Sequence, residues 1–430
     1  MMAQGQPSPV TAQFGQRPRP ARLCNLDRLL DAMEARGLDG LLSYYSRNVM
    51  YLGGYASGST AIYGEANGVA AFVISRREPD HPIAIMPEFE IGYFLRQPTW
   101  VRDIRLYRTL ILPFDIPTEP SAVDRFIPQG AHDVPWVRRA RESFSESLTR
   151  ACVRALQDVG LDRGRVAFDN LSFAPFVASE LPHVQVADGY GLLKFARMVK
   201  TDAELSLLRE AHRLNQTAIE RVADAWAPGM SWNDLSMSYY LEAVRLGGFI
   251  FDRGSMLFFN PRGSESTVRF STGLEEDFTL EPGIHIMFDC HGRLNNYNWD
   301  GGKTWIIDDE PRGLEKTIVR ACGDAMGEAL NAARPGATLS QLQVQARRVF
   351  ERHGVPASDS ALIYFHGVGL DNSEQEWGAP ADWTMEDGMV VAAHFLYPGD
   401  AQHRYFVEEI GVVRPHGMER FFTWDYHKPV

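Results

Sequence analysis

The sequence has few cysteines, no long apolar run and no excess of positive charge. Its four cysteines are scattered without CxxC spacing (Cys24, Cys152, Cys290 and Cys322), which argues against a disulfide framework or a structural zinc site and favours the cytosol. The net charge of −12 gives no electrostatic support to nucleic-acid binding. The apolar runs are far shorter than a membrane span. These absences predict a cytoplasmic protein with neither nucleic-acid nor membrane partners.

The length and composition predict a globular protein of two domains. Of the 430 residues, 45% are hydrophobic and 23% are charged. Residues 1–20 are rich in Pro, Gln and Gly and lack the apolar segment of a secretory signal, so we expect a flexible N-terminal arm. Residues 21–192 indicate an α/β domain with a mixed sheet. Residues 193–430 run from helices to sheet and again to helices and sheet, and the fold class is therefore predicted as α+β.

The first domain shows clear helix and strand patterns except in two places. Leucines at helical spacing over residues 22–38, ended by Gly37, predict a helix. Residues 39–55 are interpreted as a strand, a turn and a short apolar segment. Residues 95–140 combine aromatics and prolines with weak periodicity, and this combination predicts a long surface excursion.

Two capping signals mark the helices that open the second domain. Thr201 is followed three residues later by Glu204, which predicts a capping box at the start of a long amphipathic helix. Ser231 and Asp234 have the same spacing and predict a second helix start.

The stretch from Gly283 to Ile307 predicts a strand, a turn-rich segment and a second strand. Asp289 follows the first apolar run and Asp300 precedes the second. An antiparallel hairpin can bring two such residues side by side. Two buried carboxylates repel one another unless one is protonated or a cation lies between them. A divalent metal is the simplest such cation, whereas the alternative is that both residues lie in solvated turns.

Three further polar residues lie in or beside apolar β-type segments of the second domain. His366 follows residues 362–365, His394 lies within VVAAHFLY, and Glu408 lies within YFVEEIGVV. Charged side chains in such segments are costly unless they are paired or bind a metal. With Asp289 and Asp300 they form a donor set that suits Zn²⁺, Fe²⁺, Mn²⁺ or Co²⁺. A lone histidine such as His394 would more often be a satisfied core residue, and the five positions together favour the metal.

These blocks resemble the creatinase/Xaa-Pro aminopeptidase/prolidase family of pita-bread metallohydrolases. Residues 25–55 resemble the opening of its N-terminal domain, and residues 197–235 resemble the opening of its catalytic domain. FD and NYNWDGGKT, HGVGLDNSE, GMVVAAH and VEEIGVV resemble its metal-ligand blocks in order and spacing. The resemblance implies a creatinase-like N-terminal α/β domain, a pita-bread catalytic domain, one or two divalent metal ions and a homodimer.

The resemblance also implies which residues bind the metal. Asp289, Asp300, His366 and Glu408 occupy ligand positions of the family. The remaining position, a glutamate in the family, is His394 here. Imidazole can replace carboxylate as a ligand, but it carries no negative charge, so a single metal or a strong and a weak site become plausible.

Two positions depart from the pattern of the family's peptidases, which have histidines there. The first is Arg269, which we expect to bind a substrate carboxylate, although a surface ion pair is an equal alternative. The second is Ser373, predicted to contact substrate. Both substitutions argue against ordinary Xaa-Pro cleavage.

Three more residues are candidates for the site. His291 lies two residues after Asp289 and would face the same way on a strand, as an extra ligand or a proton-transfer group; a turn histidine without a role is the alternative. Glu374 is predicted to be catalytic. Trp299 is predicted to help form an apolar or cation-binding wall for substrate, together with Tyr297, Tyr364 and Trp377, although such aromatics more often belong to the core.

Together these features predict a metal-dependent hydrolase or lyase acting on a small, polar, carboxylate-bearing nitrogenous or onium substrate. The resemblance supplies precedents in creatinase, ectoine hydrolase and a dimethylsulfoniopropionate lyase. One alternative is an Xaa-Pro-type aminopeptidase or dipeptidase. Another is a catalytically silent binding protein on the same fold.

Overall fold

The computed structural model describes residues 21–58, 67–96, 99–109, 120–250, 257–260, 269–270, 277–375, 382–397 and 403–430, with backbone alone at 67–68, 93, 96, 120–122, 257–260 and 269–270. The chain divides into two compact units between Ala196 and Arg197. The boundary predicted at 192/193 lies inside the helix Tyr190–Met198. Within the described part of the chain, every helix falls short of the length and apolarity that a bilayer crossing requires.

The first unit is a mixed β-sheet with helices. Its strands are β1 Gly40–Tyr45, β2 Asn67–Ser75, β3 Ile83–Pro87, β4 Asp103–Tyr107, β5 Arg165–Phe168 and β6 Gln185–Asp188. Its helices are α1 Leu26–Ala35, α2 Ser46–Gly53, α3 Ile91–Arg96, α4 Pro135–Glu142, α5 Leu148–Asp158, α6 Ala174–Ala178 and α7 Tyr190–Met198. The described strands follow the order β4-β3-β2-β1-β5-β6, with β1–β2 and β2–β3 antiparallel and the other pairs parallel.

The core of this unit lies between the sheet and helix α5. Cys152 and Leu156 of α5 are fully buried and belong to one apolar cluster with Leu42, Val166 and Phe168 of the central strands. The α5 helix begins at Ser147, whose hydroxyl accepts a hydrogen bond from the Arg150 amide. The chain's four cysteines are buried free thiols, as their spacing predicts.

Two interpretations of the first domain were wrong in detail. The predicted turn after β1 is the helix α2, which ends at Gly54 in the left-handed region with φ of 68°. The predicted surface excursion at 95–140 contains strand β4, which pairs in parallel with β3 and is largely buried, and the helix α4. These elements are short and flanked by prolines, so their apolar pattern repeats too few times to be recognised in the sequence.

The second unit combines long helices with an antiparallel sheet. Its helices are α8 Asp202–Asp224, α9 Trp232–Arg245, α10 Leu314–Ala332 and α11 Leu339–Arg352. Its strands are β7 Leu257–Asn260, β8 Arg269–Phe270, β9 His285–Phe288, β10 Gly292–Leu294, β11 Tyr297–Trp299, β12 Gly302–Ile306, β13 Leu362–Gly367, β14 Val390–Tyr397, β15 Tyr405–Arg414 and β16 Gly417–Arg420. The main sheet has the described order β13-β14-β15-β12-β9-β7-β8, and β16 pairs with β15.

Both predicted capping boxes are confirmed. The Thr201 hydroxyl accepts a hydrogen bond from the Glu204 amide, and the Glu204 carboxylate accepts one from the Thr201 amide. Ser231 and Asp234 make the same reciprocal pair at the start of α9. Helices α10 and α11 pack against one another and against strands β13 and β14.

The segment between Asp289 and Asp300 is more ordered than its turn-rich composition suggests. Strands β9 and β12 pair as predicted. The intervening residues form a second, smaller hairpin of β10 and β11 around Asn295 and Asn296, which have φ of 51° and 70°. Positive φ at both central residues is the requirement of a tight two-residue turn, and asparagine tolerates it. The two aspartates therefore lie where one hairpin passes into the other.

The end of the chain packs on strand β12 through Lys303. This lysine is almost fully buried, and its ammonium donates hydrogen bonds to the carbonyls of Asp425, Lys428 and Pro429 at 3.0 to 3.1 Å. Burial lowers the Lys303 pKa to about 8. These contacts hold the C-terminal residues beside the strand that follows Asp300.

Candidate metal centre

The sheet register of the second unit brings five of the predicted residues together. His394 on β14 lies directly opposite Glu408 on β15, so both side chains leave the same face of the sheet. Glu408 in turn lies opposite Gly302, two residues after Asp300. Asp289 follows β9, the other neighbour of β12. His366 comes from β13, at the far side of β14.

The carboxylates and imidazoles alternate around the centre. Asp289 Oδ2 lies 3.6 Å from His394 Nε2. His366 Nε2 lies 3.6 Å from Asp300 Oδ2 and 3.5 Å from Glu408 Oε1. At these distances the nitrogen and oxygen atoms are too far apart for good hydrogen bonds, and they are close enough to be ligands of one metal ion.

His291 also reaches the centre. Its Nε2 atom lies 2.8 Å from Asp300 Oδ1 and 3.6 Å from Asp289 Oδ1. Three groups of donors therefore overlap: Asp289, His394 and Glu408; Asp289, His291 and Asp300; and Asp300, His366 and Glu408. Each carboxylate belongs to two of these groups, so the donors form one cluster.

The electrostatics of the cluster are those of concentrated negative charge in a buried place. Burial raises the pKa of Glu408 well above its usual range, and the neighbouring carboxylates of Asp300 and Asp289 raise it further. Burial acts in the same direction on Asp300, but His291 and His366 outweigh it and lower its pKa to about 2. For His291, burial would lower the pKa, and Asp300 and Asp289 overcome this and raise it to about 9.

The residues fit a divalent cation. Asp300 and Glu408 are about 1% exposed. Asp300 Oδ2, both carboxylate oxygens of Glu408 and His394 Nδ1 are buried and have no hydrogen-bond partner among the described residues. Buried oxygens without a partner cost free energy that a bound cation would recover. His366 Nδ1 lies 3.3 Å from the Gly367 carbonyl, which orients Nε2 toward the centre.

Gly302 permits the close approach of the two hairpin strands at the site. A Cβ atom on Gly302 would lie 2.1 Å from the carbonyl oxygen of Phe288, a main-chain atom that cannot move aside. The preceding Gly301 has φ of 84°, and its carbonyl and that of Asp300 accept hydrogen bonds from Asn215. The glycine pair therefore fixes the position of Asp300.

Helix α8 supports Asp300 with residues that the sequence analysis did not single out. His212 is fully buried, which lowers its pKa to about 4. Its Nδ1 faces the Leu208 carbonyl at 2.7 Å, and its Nε2 accepts a hydrogen bond from the Asp300 amide. Asn215, on the same face of α8, accepts a hydrogen bond from the Tyr239 hydroxyl. The available signal was the occurrence of two polar residues within the apolar stripe of α8.

The position of Trp299 argues against the predicted role in a substrate wall. Its side chain has no exposed surface and packs with Ala211, Leu214 and Ala243 in an apolar cluster. The indole N–H donates to the Tyr239 hydroxyl at 3.1 Å. All three residues of β11 are buried, and Trp299 is part of the core.

Glu374 lies in a buried ion pair, which argues against the predicted catalytic role. Its Oε1 atom and Asp371 Oδ2 both lie 2.7 Å from Arg197 Nη2. All three side chains are buried. Ser373, the neighbour of Glu374, is half-buried in the same loop. Its contact with substrate stays a prediction.

Two of the predicted substrate contacts lie outside what the structure describes, and Tyr364 lies beside the donor cluster. The side chain of Arg269 and all of Trp377 are outside the described residues. Tyr364, 42% exposed, stacks on the His394 ring with centroids 4.0 Å apart. It therefore places an aromatic face beside the cluster.

Comparison with known proteins matches both units. Residues 25–199 match the creatinase/prolidase N-terminal domain, and residues 206–415 match metallopeptidase family M24. The Xaa-Pro dipeptidase of Pyrococcus furiosus is 24% identical over 227 residues, which is 52% of this chain and 60% of that protein. The ectoine hydrolase of Halomonas elongata is 21% identical over 236 residues, or 51% and 56% of the two chains. The alignments thus span less than two thirds of either relative.

Solved structures share the fold over nearly the whole chain. The X-Pro aminopeptidase from Thermotoga maritima superposes with a TM-score of 0.64, at 16% identity, over 93% of this chain and 98% of that one. The prolidase from Pyrococcus horikoshii has a TM-score of 0.62 at 14% identity, over 92% and 97%. At these identities the likeness concerns the fold alone.

Proposed function

Since the chain belongs to the creatinase/Xaa-Pro aminopeptidase/prolidase family, a family of metal-dependent hydrolases, we propose that it cleaves a small, polar, carboxylate-bearing nitrogenous substrate. The observation that carries this proposal is Ser373 in the HGVGLDNSE block. All five ligand positions keep metal-binding side chains, with His394 in place of a glutamate, whereas a histidine that the peptidases place in this block is replaced by Ser373. The proposed metal site would thus keep its chemistry, whereas a residue beside it that helps to handle a peptide in the peptidases has changed.

The residues of the cluster have distinct parts in this proposal. Asp289, Asp300, His366, His394 and Glu408 would hold the metal, whose bound form supplies a water of lowered pKa and polarises a carbonyl oxygen. The Gly367 carbonyl keeps the His366 ring in the orientation that presents Nε2 to the centre. The Asn215 and His212 contacts to the Asp300 backbone fix one carboxylate before any ligand arrives.

The nature of the substrate follows from the groups around the cluster. Tyr364 offers a half-exposed aromatic face, which suits an apolar or cationic part of a small molecule. Arg269, on the short strand β8, is proposed to bind the carboxylate, since a guanidinium forms two parallel hydrogen bonds with it. Ectoine hydrolase, a relative of this chain, is named for action on a small nitrogenous solute. Elimination rather than hydrolysis is included in the proposal as a lyase alternative.

A substrate panel tests the proposal. The metal-free protein is loaded in turn with Mn²⁺, Fe²⁺, Co²⁺ and Zn²⁺ and incubated with cyclic amidine carboxylates, N-acyl amino acids, betaines and Xaa-Pro dipeptides. Products are identified by mass spectrometry. We expect turnover in a non-peptide class and little with proline dipeptides. Arg269→Lys, which keeps the charge and loses the fork, is expected to raise KM more than it lowers kcat.

A second candidate is an Xaa-Pro dipeptidase, favoured by the name of the Pyrococcus furiosus relative. The same panel separates the two: proline dipeptides as the best substrates would overturn the preferred proposal. Ser373→His provides a matched variant, because it restores the residue of the peptidases. It is expected to increase any Xaa-Pro activity in the parent.

A silent binding protein is the third possibility, and metal analysis addresses it. The donor set is expected to bind metal tightly. A content below about one tenth of a metal ion per chain after loading would therefore favour a silent binding protein. The cytoplasmic location and the homodimer stay predictions. Size-exclusion chromatography with light scattering tests the homodimer.

A further inference from the structure

The donor cluster contains one imidazole more than the family resemblance assigns. His291 is outside the five positions that correspond to family ligands, yet it belongs to one of the three donor groups, with Asp289 and Asp300. It lies in the passage from β9 to β10, two residues after Asp289. The same short segment therefore carries two donors.

The three imidazoles are placed in equivalent ways. Each presents Nε2 to the cluster: His394 to Asp289 at 3.6 Å, His366 to Asp300 and Glu408 at 3.6 and 3.5 Å, and His291 to Asp300 and Asp289 at 2.8 and 3.6 Å. Both aspartates use one oxygen toward His291 and the other toward a different histidine. A surface or turn histidine would not share two carboxylates with two assigned ligands.

We propose that His291 is a ligand of the metal bound at this centre, which then has three imidazole and three carboxylate donors. This inference rests on the proposed metal-dependent function. The three carboxylate donors are Asp289, Asp300 and Glu408. A nitrogen-rich donor set favours Fe²⁺, Co²⁺ or Zn²⁺ over Mn²⁺, because imidazole suits the former and carboxylate suits the latter.

The alternative role for His291 is proton transfer without metal binding. The 2.8 Å contact with Asp300 by itself fits a simple hydrogen bond. The two roles differ in what a substitution does to metal affinity. Loss of a ligand weakens binding of the metal, whereas loss of a proton carrier leaves binding intact and changes only turnover.

The test measures metal binding by the full-length protein, freed of metal with a chelator, in the absence of substrate. Zn²⁺, Co²⁺ and Mn²⁺ are titrated by calorimetry into the parent, His291→Ala and His291→Asp. X-ray absorption of the zinc-saturated proteins gives the average number of imidazoles per zinc ion, and metal analysis of the same samples converts it to imidazoles per chain. His353→Ala is the control, since His353 pairs with Asp324 on helix α10, away from the cluster. Circular dichroism checks that each variant is folded.

We expect three imidazoles per chain in the parent and two in H291A. Zn²⁺ affinity should fall by more than about tenfold in H291A, since changes even in outer-shell partners alter metal affinity by 10–100-fold. H291D should keep binding and move its preference toward Mn²⁺, and H353A should match the parent.

The outcomes separate this inference from the proposed function. Two imidazoles in the parent, or equal Zn²⁺ affinity in H291A and the parent, would overturn the assignment of His291 and leave the metal-dependent function standing. A folded parent that binds none of the three ions would overturn the proposed function itself. If H291A does not fold, the parent's imidazole count and H291D decide the assignment.

Discussion

Asp300 is the residue on which most contacts of the cluster converge. Its two carboxylate oxygens face different histidines, His291 and His366, and its main chain is held by His212 and Asn215. Such a residue is both a proposed ligand and the link between the hairpin and helix α8. We therefore expect substitution of Asp300 to weaken metal binding more than it reduces the stability of the fold.

The first prediction concerns Asp300→Asn, which keeps the shape of the side chain and removes its charge. We expect Zn²⁺ affinity to fall by at least about a hundredfold, the upper range found for weaker perturbations of metal sites. Calorimetric titration of the metal-free variant measures this. Asp324→Asn is the control, because Asp324 binds histidines at the surface. Unchanged affinity in D300N would remove Asp300 from the ligand set.

At the scale of the element, the hairpin at β9 and β12 depends on Gly302. Gly302→Ala would place a Cβ atom 2.1 Å from the Phe288 carbonyl oxygen, and the strands would have to separate. We expect a loss of about 1–3 kcal/mol in the free energy of unfolding, the usual range for overpacked sites, together with weaker metal binding.

Gly327→Ala is the matched control for that prediction. Gly327 lies inside α10, and a Cβ atom there would meet no atom within 4 Å. Alanine in a helix interior should stabilise by up to about 1 kcal/mol. Urea unfolding of both variants gives the comparison, and equal effects of the two substitutions would contradict the packing argument for Gly302.

The loop after β13 supplies a third prediction. Arg197 is buried and binds both Asp371 and Glu374, so Arg197→Met leaves two buried carboxylates without their cation. We expect a loss of about 3–5 kcal/mol in the free energy of unfolding, as for other broken buried ion pairs. Arg209→Met, which breaks an exposed pair with Glu419, should cost less than about 1 kcal/mol. A similar small cost for R197M would mean that the carboxylates find water instead.

The sequence predicted the features that show in a short stretch of residues and missed those that depend on distant contacts or on strand register. Asp289, His394 and Glu408 were predictable because a polar residue in an apolar strand is conspicuous, and strand pairing then brings such residues together. The burial of Trp299 was not predictable, because side-chain direction on a three-residue strand depends on register, which the composition of a turn-rich segment does not reveal. Helix α2 was missed because its eight residues carry too few turns for a clear period. The ion pair of Glu374 was not foreseen because its partner Arg197 is distant in the sequence.

At the scale of the whole molecule, buried charge makes stability depend on pH. Burial raises the pKa of Glu204 to about 7, with Glu374 acting in the same direction and Lys200 opposing it. The Tyr297 hydroxyl donates to the same carboxylate. A carboxyl whose folded-state pKa is raised stabilises the fold while it is protonated. That contribution is complete below pH 4.5, the ordinary value, and is lost as pH rises through 7.

The fourth prediction follows from this sign. Glu204→Gln should flatten the fall in the free energy of unfolding between pH 5 and 8, by up to about 3 kcal/mol at 1.4 kcal/mol per pKa unit. Urea unfolding at several pH values measures the slope. Glu210→Gln, on the exposed face of the same helix α8, should keep the parent's slope. An unchanged slope in E204Q would mean that Glu204 is ionised in the folded protein at neutral pH.

Lys303 gives the last residues of the chain an unexpected importance. Its ammonium is satisfied by main-chain carbonyls of Asp425, Lys428 and Pro429, and Lys303 follows Asp300 by a single pair of glycines. Proteolytic removal of residues 425–430 would deprive the buried Lys303 ammonium of its acceptors, next to the hairpin that carries Asp289 and Asp300. A preparation that lacks only these six residues would look intact by gel electrophoresis, and we expect it to have a less stable fold and a weakened capacity to bind metal ions at Asp300.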